Sequence, residues 1–170
     1  MNHSKACCFI GHRKISENDE LKNKLYSVIE YLIIKKNVSH FYFGSKSAFN
    51  DLCYRIVSDL KEIYPYIQRI YVRAEFPYID SSYHAYLLTY YEDTYFPESL
   101  IHAGKSVYIE RNFKIIDQSQ YCIVYYDENY IPSKRKKSKR DLTEYTPQSG
   151  TKIAYEYAKK KGICIYNMFL

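Results

Sequence analysis

Apolar positions change period several times along the chain, and those changes divide it into strands and helices. Residues 5–10 (KACCFI) form a short, continuous apolar run ended by Gly11, the pattern of a strand buried on both faces. Leu21, Leu25, Val28, Ile29, Leu32 and Ile33 then recur at helical spacing and predict a helix of about four turns. Residues 38–43 (VSHFYF) read as a second strand, stopped by Gly44. Phe49, Leu52, Cys53, Ile56, Val57 and Leu60 form a second helical stripe, with Ser47 placed to cap it. Pro65 closes that unit, and residues 67–76 (IQRIYVRAEF) read as a third strand. The tyrosine-crowded stretch 77–97 predicts a short helix and a connecting loop. A helix over about 102–117, a strand at 121–126 (YCIVYY), a helix over about 150–161 closed by Gly162, and a last strand within 163–169 (ICIYNMF) complete the series.

This alternation predicts an α/β, Rossmann-like three-layer fold: a mostly parallel sheet of five or slightly more strands, with helices on both faces. In 170 residues with 46% hydrophobic content it reads as one domain, 1–170, without internal repeats. No apolar run approaches the roughly 20 residues that span a bilayer. The first residues lack the long apolar stretch of a secretory signal, so the expectation is a cytoplasmic protein that does not enter the membrane. The five cysteines lack zinc-ligand spacing and cannot all pair with one another. They are expected to be reduced and buried, with Cys7 and Cys8 on opposite faces of the first strand and Cys53 and Cys164 on apolar faces. No metal and no other cofactor is expected.

The net charge of +6 narrows to one segment. Lys134, Arg135, Lys136, Lys137, Lys139 and Arg140 lie within seven residues, and without them 19 basic residues balance 19 acidic ones. The loop 131–147 therefore carries the excess, which ranks a solvated segment above a phosphate-binding arm. The 22 tyrosines follow from a composition rich in Lys, Ile, Asn and Tyr and support no functional claim by number alone.

In an open parallel sheet, ligands bind beyond the carboxyl ends of the strands, where strand order reverses. Gly11, His12 and Arg13 after the first strand, Gly44 and Ser45 after the second, Asp127 after the YCIVYY strand, and Ser149, Gly150 and Thr151 at the last helix should therefore converge. Glycine lets the chain leave a strand tightly, arginine forks onto phosphate, and helix N-termini favour anions. Asp51, one turn into its helix, is placed to accept from ribose hydroxyls. Each motif alone also fits ordinary turns and caps. Neither G-x-x-x-x-G-K-[ST] nor G-x-G-x-x-G occurs, which argues against ATP hydrolysis and NAD redox chemistry. No nucleophile–base pair emerges from spacing; His12, Glu75 and Glu156 are the available acid–base groups. The tyrosines of 78–95 either pack on the sheet, the preferred reading, or cover the pocket and stack on a base.

Taken together, CCFIGHR, FGSKSAFND, YIERNFKIID, YCIVYY and PQSGTKIAYEYAKKKGICIYN resemble the SLOG superfamily, the nucleotide-binding group named for Smf/DprA and Lonely Guy proteins, and within it the small YpsA-like branch. The resemblance runs from Lys5 to Asn167 and is weakest over 78–103. It implies a nucleotide pocket at Gly11, Arg13, Gly44, Ser45, Asp51, Arg111, Asn112, Ser149, Gly150 and Thr151. Lonely Guy enzymes cleave the N-glycosidic bond of nucleoside monophosphates with an Arg-Lys pair and P-G-G-x-G-T-x-x-E. Here the pair is Arg111-Asn112, the loop reads P-Q-S-G-T, and the glutamate position falls on Ala154 or Ile153.

An aliphatic side chain neither activates water nor stabilises an oxocarbenium-like centre. The sequence thus favours a sensor or sequestering protein for an ADP-ribose-like or cyclic nucleotide. A nucleoside-monophosphate N-glycosidase ranks second and a nucleic-acid binder using the 134–140 loop third. Self-association is open, with no interface specified.

Overall fold

The computed structural model describes residues 4–131 and 149–169, so the basic loop and Pro147-Gln148 lie outside the described residues. The elements are β1 (Lys5–Gly11), α1 (Asp19–Lys36), β2 (Val38–Phe43), α2 (Ala48–Ile63), β3 (Gln68–Val72), α3 (Ser81–Leu88), β4 (Asp93–Tyr95), α4 (Val107–Asp117), β5 (Tyr121–Tyr125), α5 (Gly150–Lys161) and β6 (Cys164–Asn167). Six strands form one parallel sheet in the order β4-β3-β2-β1-β5-β6. The chain winds outward from β1 to β4, returns through α4, and resumes beside β1 as β5. Strand order therefore reverses at β1 and β5.

The central strand shows why this sheet is covered on both faces. Successive residues of β1 point to opposite sides. Cys7 and Phe9 join the core formed with α1 and α2, including Leu25, Ile29, Phe49, Leu52 and Val57. Cys8 and Ile10 join the core beneath α4 and α5, including Ile115, Ile116, Ala154 and Ala158. Such double coverage explains the continuous apolar run. Burial also pushes the Cys7 and Cys53 thiols well above their ordinary value, which leaves both unreactive. Cys164 departs from expectation: it is exposed, because β6 is an edge strand with only part of its surface covered.

Helix ends follow local chemistry. Asn18 Oδ1 accepts the Leu21 amide at 2.8 Å, and Asn37 closes α1 in the left-handed region at φ 58°. Ser47 Oγ accepts the Asn50 amide at 3.1 Å, and Asn50 Nδ2 donates to the Phe9 carbonyl at 3.2 Å, which ties the start of α2 to the end of β1. Ser149 caps α5 and Gly162 ends it at φ 75°.

Three element boundaries differ from the sequence reading. The third strand stops at Val72 rather than 76, its last ladder bond being the Arg73 amide donating to the Tyr95 carbonyl. That carbonyl belongs to β4, three residues inside what the sequence marks as a connecting loop, too short for an alternating pattern to show. The helix expected from 102 begins at Val107, after two 3-10 turns and Gly104 at φ 59°. No helix among the described residues is long and apolar enough to cross a membrane.

Candidate functional site

At the carboxyl ends of the strands lies a cleft of about 680 Å³, within the range of small-molecule sites. Gly11, His12, Arg13, Gly44, Ser45, Arg111, Asn112, Ser149, Gly150 and Thr151 all line it. Asp51, the remaining candidate, faces an adjoining trough that shares the 44–47 turn. Asp127, also expected there, does not line the cleft and contacts it only through its backbone amide, which bonds to His12 as described below. Beyond these expected residues the cleft takes in Lys14, Lys46, Arg73, Glu75, Tyr108 and Tyr130, among others. Arg73 was legible in principle: it follows β3, and the rule that gathers residues after strands applies to β3 as well.

The β1 and β2 turns pack closely against what surrounds them. A methyl group on Gly11 would come within 2.3 Å of the Phe49 ring, and Arg13 holds the second turn by accepting the Ala48 amide through its carbonyl at 3.0 Å. A methyl on Gly44 would lie 2.8 Å from Arg111 Cδ and 2.9 Å from its Nε. The missing side chain at Gly44 is the space that the Arg111 guanidinium occupies.

Arg111 is the central electrostatic feature. It is 5% exposed, its Nε donates to Asn112 Oδ1 at 3.1 Å, and its guanidinium sits 5.8 Å from the Tyr108 ring centre. Burial draws its pKa below the ordinary value, with Tyr71 and Glu75 opposing that effect, yet arginine stays charged at neutral pH. Arg73 is 7% exposed and donates to Thr94 Oγ1 at 3.1 Å and to the Phe76 carbonyl at 3.3 Å. Phe76 beside it holds φ at 59°, an uncommon conformation for a bulky residue. Among the described residues, none of Arg13, Lys14, Lys46, Arg73 and Arg111 forms a salt bridge. Five cations therefore line the cleft against one carboxylate, Glu75, which itself accepts the Tyr108 hydroxyl.

His12 is 2% exposed and stacks on Tyr130 with centroids 3.9 Å apart. Its Nε2 accepts the Asp127 amide at 2.9 Å, so the neutral ring carries its proton on Nδ1, which has no partner among the described residues. Burial lowers its pKa, partly offset by Asp127, and this keeps the ring neutral near pH 7.

Glu156 and the two positions where the motif's glutamate would fall stand apart from the cleft. Ala154 is buried beneath the sheet, and Ile153 and Glu156 do not line the cleft, Glu156 being exposed. No cluster of three or more His, Cys, Asp or Glu among the described residues is arranged to hold a metal. The tyrosines of 78–95 pack on the sheet and also line the two concavities, and Tyr91 does both. Tyr91 stacks on Tyr71 of β3 and Tyr95 lies in β4, whereas Tyr83 lines the cleft and Tyr86 and Tyr90 line the trough.

A scan against protein-family models gives no match to this chain, and a search of curated proteins gives none.

Proposed function

We propose that the protein binds a nucleotide or nucleotide-derived ligand, of ADP-ribose-like or cyclic type, in this cleft and acts as a sensor or sequestering protein. The observation that carries the reading is Arg111: a buried cation without a carboxylate partner among the described residues, set under Gly44 at the meeting of three strand-end turns. A buried charge without compensation is costly, and a phosphate oxygen would compensate it. The N-termini of α2 and α5 flank the same space and favour an anion, and the Nδ1–H of His12 is a spare donor for a ligand oxygen. The resemblance to the SLOG superfamily points the same way.

Binding without turnover is favoured over N-glycosidic hydrolysis by the carboxylates. Glu75, the one in the cleft, is engaged by Tyr108, and the helix position that would need a glutamate is apolar. The test is a thermal-shift series with nucleoside monophosphates, ADP-ribose, cyclic ADP-ribose forms and cyclic dinucleotides. A ligand at 100 times its dissociation constant adds about 2.7 kcal/mol, or about 5–10 °C for a chain of this size. A shift for one class, abolished by Arg111→Gln and with the ligand recovered intact, supports the proposal. Free base released from a monophosphate would replace it with the hydrolase reading, and no shift with any compound would remove it.

A further inference from the structure

A second concavity of about 650 Å³ opens from the cleft across residues 44–47, and its walls are aromatic: Tyr54, Tyr83, Tyr86, Tyr90 and Tyr91, with Leu87. Asp51 also lines this trough. Resting on the nucleotide-binding reading above, we propose that the trough seats a purine ring of the ligand, its amino-bearing edge toward Asp51, while the phosphate lies in the cationic cleft.

The trough offers flat, prearranged faces. Tyr83 and Tyr86 lie parallel within 15° at 6.2 Å, and Tyr71 and Tyr91 within 20° at 5.2 Å. The Tyr54 hydroxyl donates to the Tyr90 carbonyl at 2.6 Å, which fixes the wall opposite. Tyr86 and Tyr90 keep 56% and 48% of their surface exposed, so ring faces remain available. Exposed tyrosine beside a phosphate-binding groove is the arrangement on which bases stack.

Charge sets the direction of the ligand. The Asp51 carboxylate has no hydrogen bond or ion pair from a side chain among the described residues. It repels phosphate and accepts N–H. Among the trough's residues the cations are Arg13 and Lys46, both on the rim shared with the cleft. Phosphate therefore belongs on the Arg111 side and an N–H donor on the Asp51 side, joined by the sugar at the 44–47 turn. The exocyclic amino groups of adenine and guanine supply the donor, and a trough of this volume exceeds the needs of a single six-membered ring.

The test is isothermal titration of the full chain with ribose 5-phosphate, AMP, GMP and UMP. AMP or GMP should bind about 5- to 100-fold more tightly than ribose 5-phosphate, the range expected for one stacked base. Tyr86→Ala, at an exposed position, should collapse that ratio, Tyr86→Phe should preserve it, and Asp51→Ala should erase the preference over UMP. Ribose 5-phosphate binding as tightly as both purine nucleotides, or a ratio unchanged by Tyr86→Ala, overturns the trough assignment and leaves the anion site standing. UMP binding the wild-type chain as tightly as AMP and GMP overturns the purine assignment. If none of the four binds, this inference falls, while the nucleotide reading is decided by the ADP-ribose and cyclic-nucleotide arms of the thermal-shift series.

Discussion

The Gly44→Ala substitution isolates the relation on which the cleft depends. Gly44 has no positive φ, so alanine fits its backbone, and the whole native-state cost comes from the added methyl. That methyl would stand 2.8, 2.9 and 3.1 Å from Cδ, Nε and Cζ of Arg111, short of the roughly 3.5 Å of a comfortable contact. Arg111 is 5% exposed and held by Asn112, so it has little room to withdraw. Overpacking of this kind costs about 1–3 kcal/mol, and glycine-to-alanine returns about 0.4–1 kcal/mol by restricting the unfolded chain. The expected net loss is about 0.5–2 kcal/mol, a few degrees of Tm at this length.

The decisive measurement is a double-mutant cycle by urea denaturation. In an Arg111→Ala background the clash is gone, and Gly44→Ala should become stabilising by about 0.4–1 kcal/mol. The coupling between the two sites should thus be about 1–3 kcal/mol. Equal effects of Gly44→Ala in both backgrounds would refute the idea that this glycine exists to make room for the guanidinium. Ligand affinity, once a ligand is found, should fall at least tenfold in Gly44→Ala because the cation is displaced.

Gly11→Ala should cost about 3 kcal/mol, since its methyl would meet the fully buried Phe49 ring at 2.3 Å, whereas Gly150→Ala, with nothing within 4 Å, should be neutral or slightly stabilising; chemical denaturation of the pair checks the contrast. His12 has a folded-state pKa below its ordinary 6.5, so the unfolded chain takes up a proton first as pH falls. Its contribution to stability should be complete above about pH 6.5 and decline from there toward the lowered folded value. Urea midpoints between pH 7.5 and 5 should show a shallower slope in His12→Asn, and an identical slope would contradict the assignment. Glu92 experiences burial that raises its pKa, outweighed by hydrogen bonds from the Arg69 side chain and amide, including one of 2.7 Å, with Lys61 adding to the effect. Its stabilisation should be present at neutral pH and lost on acidification through the lowered value. Glu92→Gln should cost about 1 kcal/mol at pH 7, less near pH 3, measured by the same titration.

Much of the architecture follows from local pattern. The run at Cys7, Cys8, Phe9 and Ile10 requires a strand buried on both sides, and the stripe from Phe49 to Leu60 requires a helix with one covered face. Gly11, Gly44 and Ser149 mark their own turns, because a strand stop and a helix cap are decided by neighbouring residues. With the strand-end rule for parallel sheets, that information suffices to gather eight of the candidate residues into one cleft, and Arg111 and Asn112 join them only through the resemblance. It fails where the determining contact is distant. Three residues of β4 become a strand only because β3 offers them an edge, and β3 keeps its ladder only as far as Val72 faces Tyr95.

Charge and burial divide the same way. The sequence alone places Arg111 on a helix beside Asn112, where it reads as an ordinary polar face. Only the folded chain brings it beneath Gly44, 67 positions earlier, and removes it from water without an ion pair to a carboxylate among the described residues. Asp51 likewise belongs by sequence to the nucleotide pocket, and the tertiary structure moves it into the tyrosine trough. Periodicity and turn chemistry act over a few residues and are legible in one dimension. Desolvation, compensation of charge and the shape of a cavity depend on which distant segments enclose a group, and these were decided by the packing of the sheet and its two helical layers.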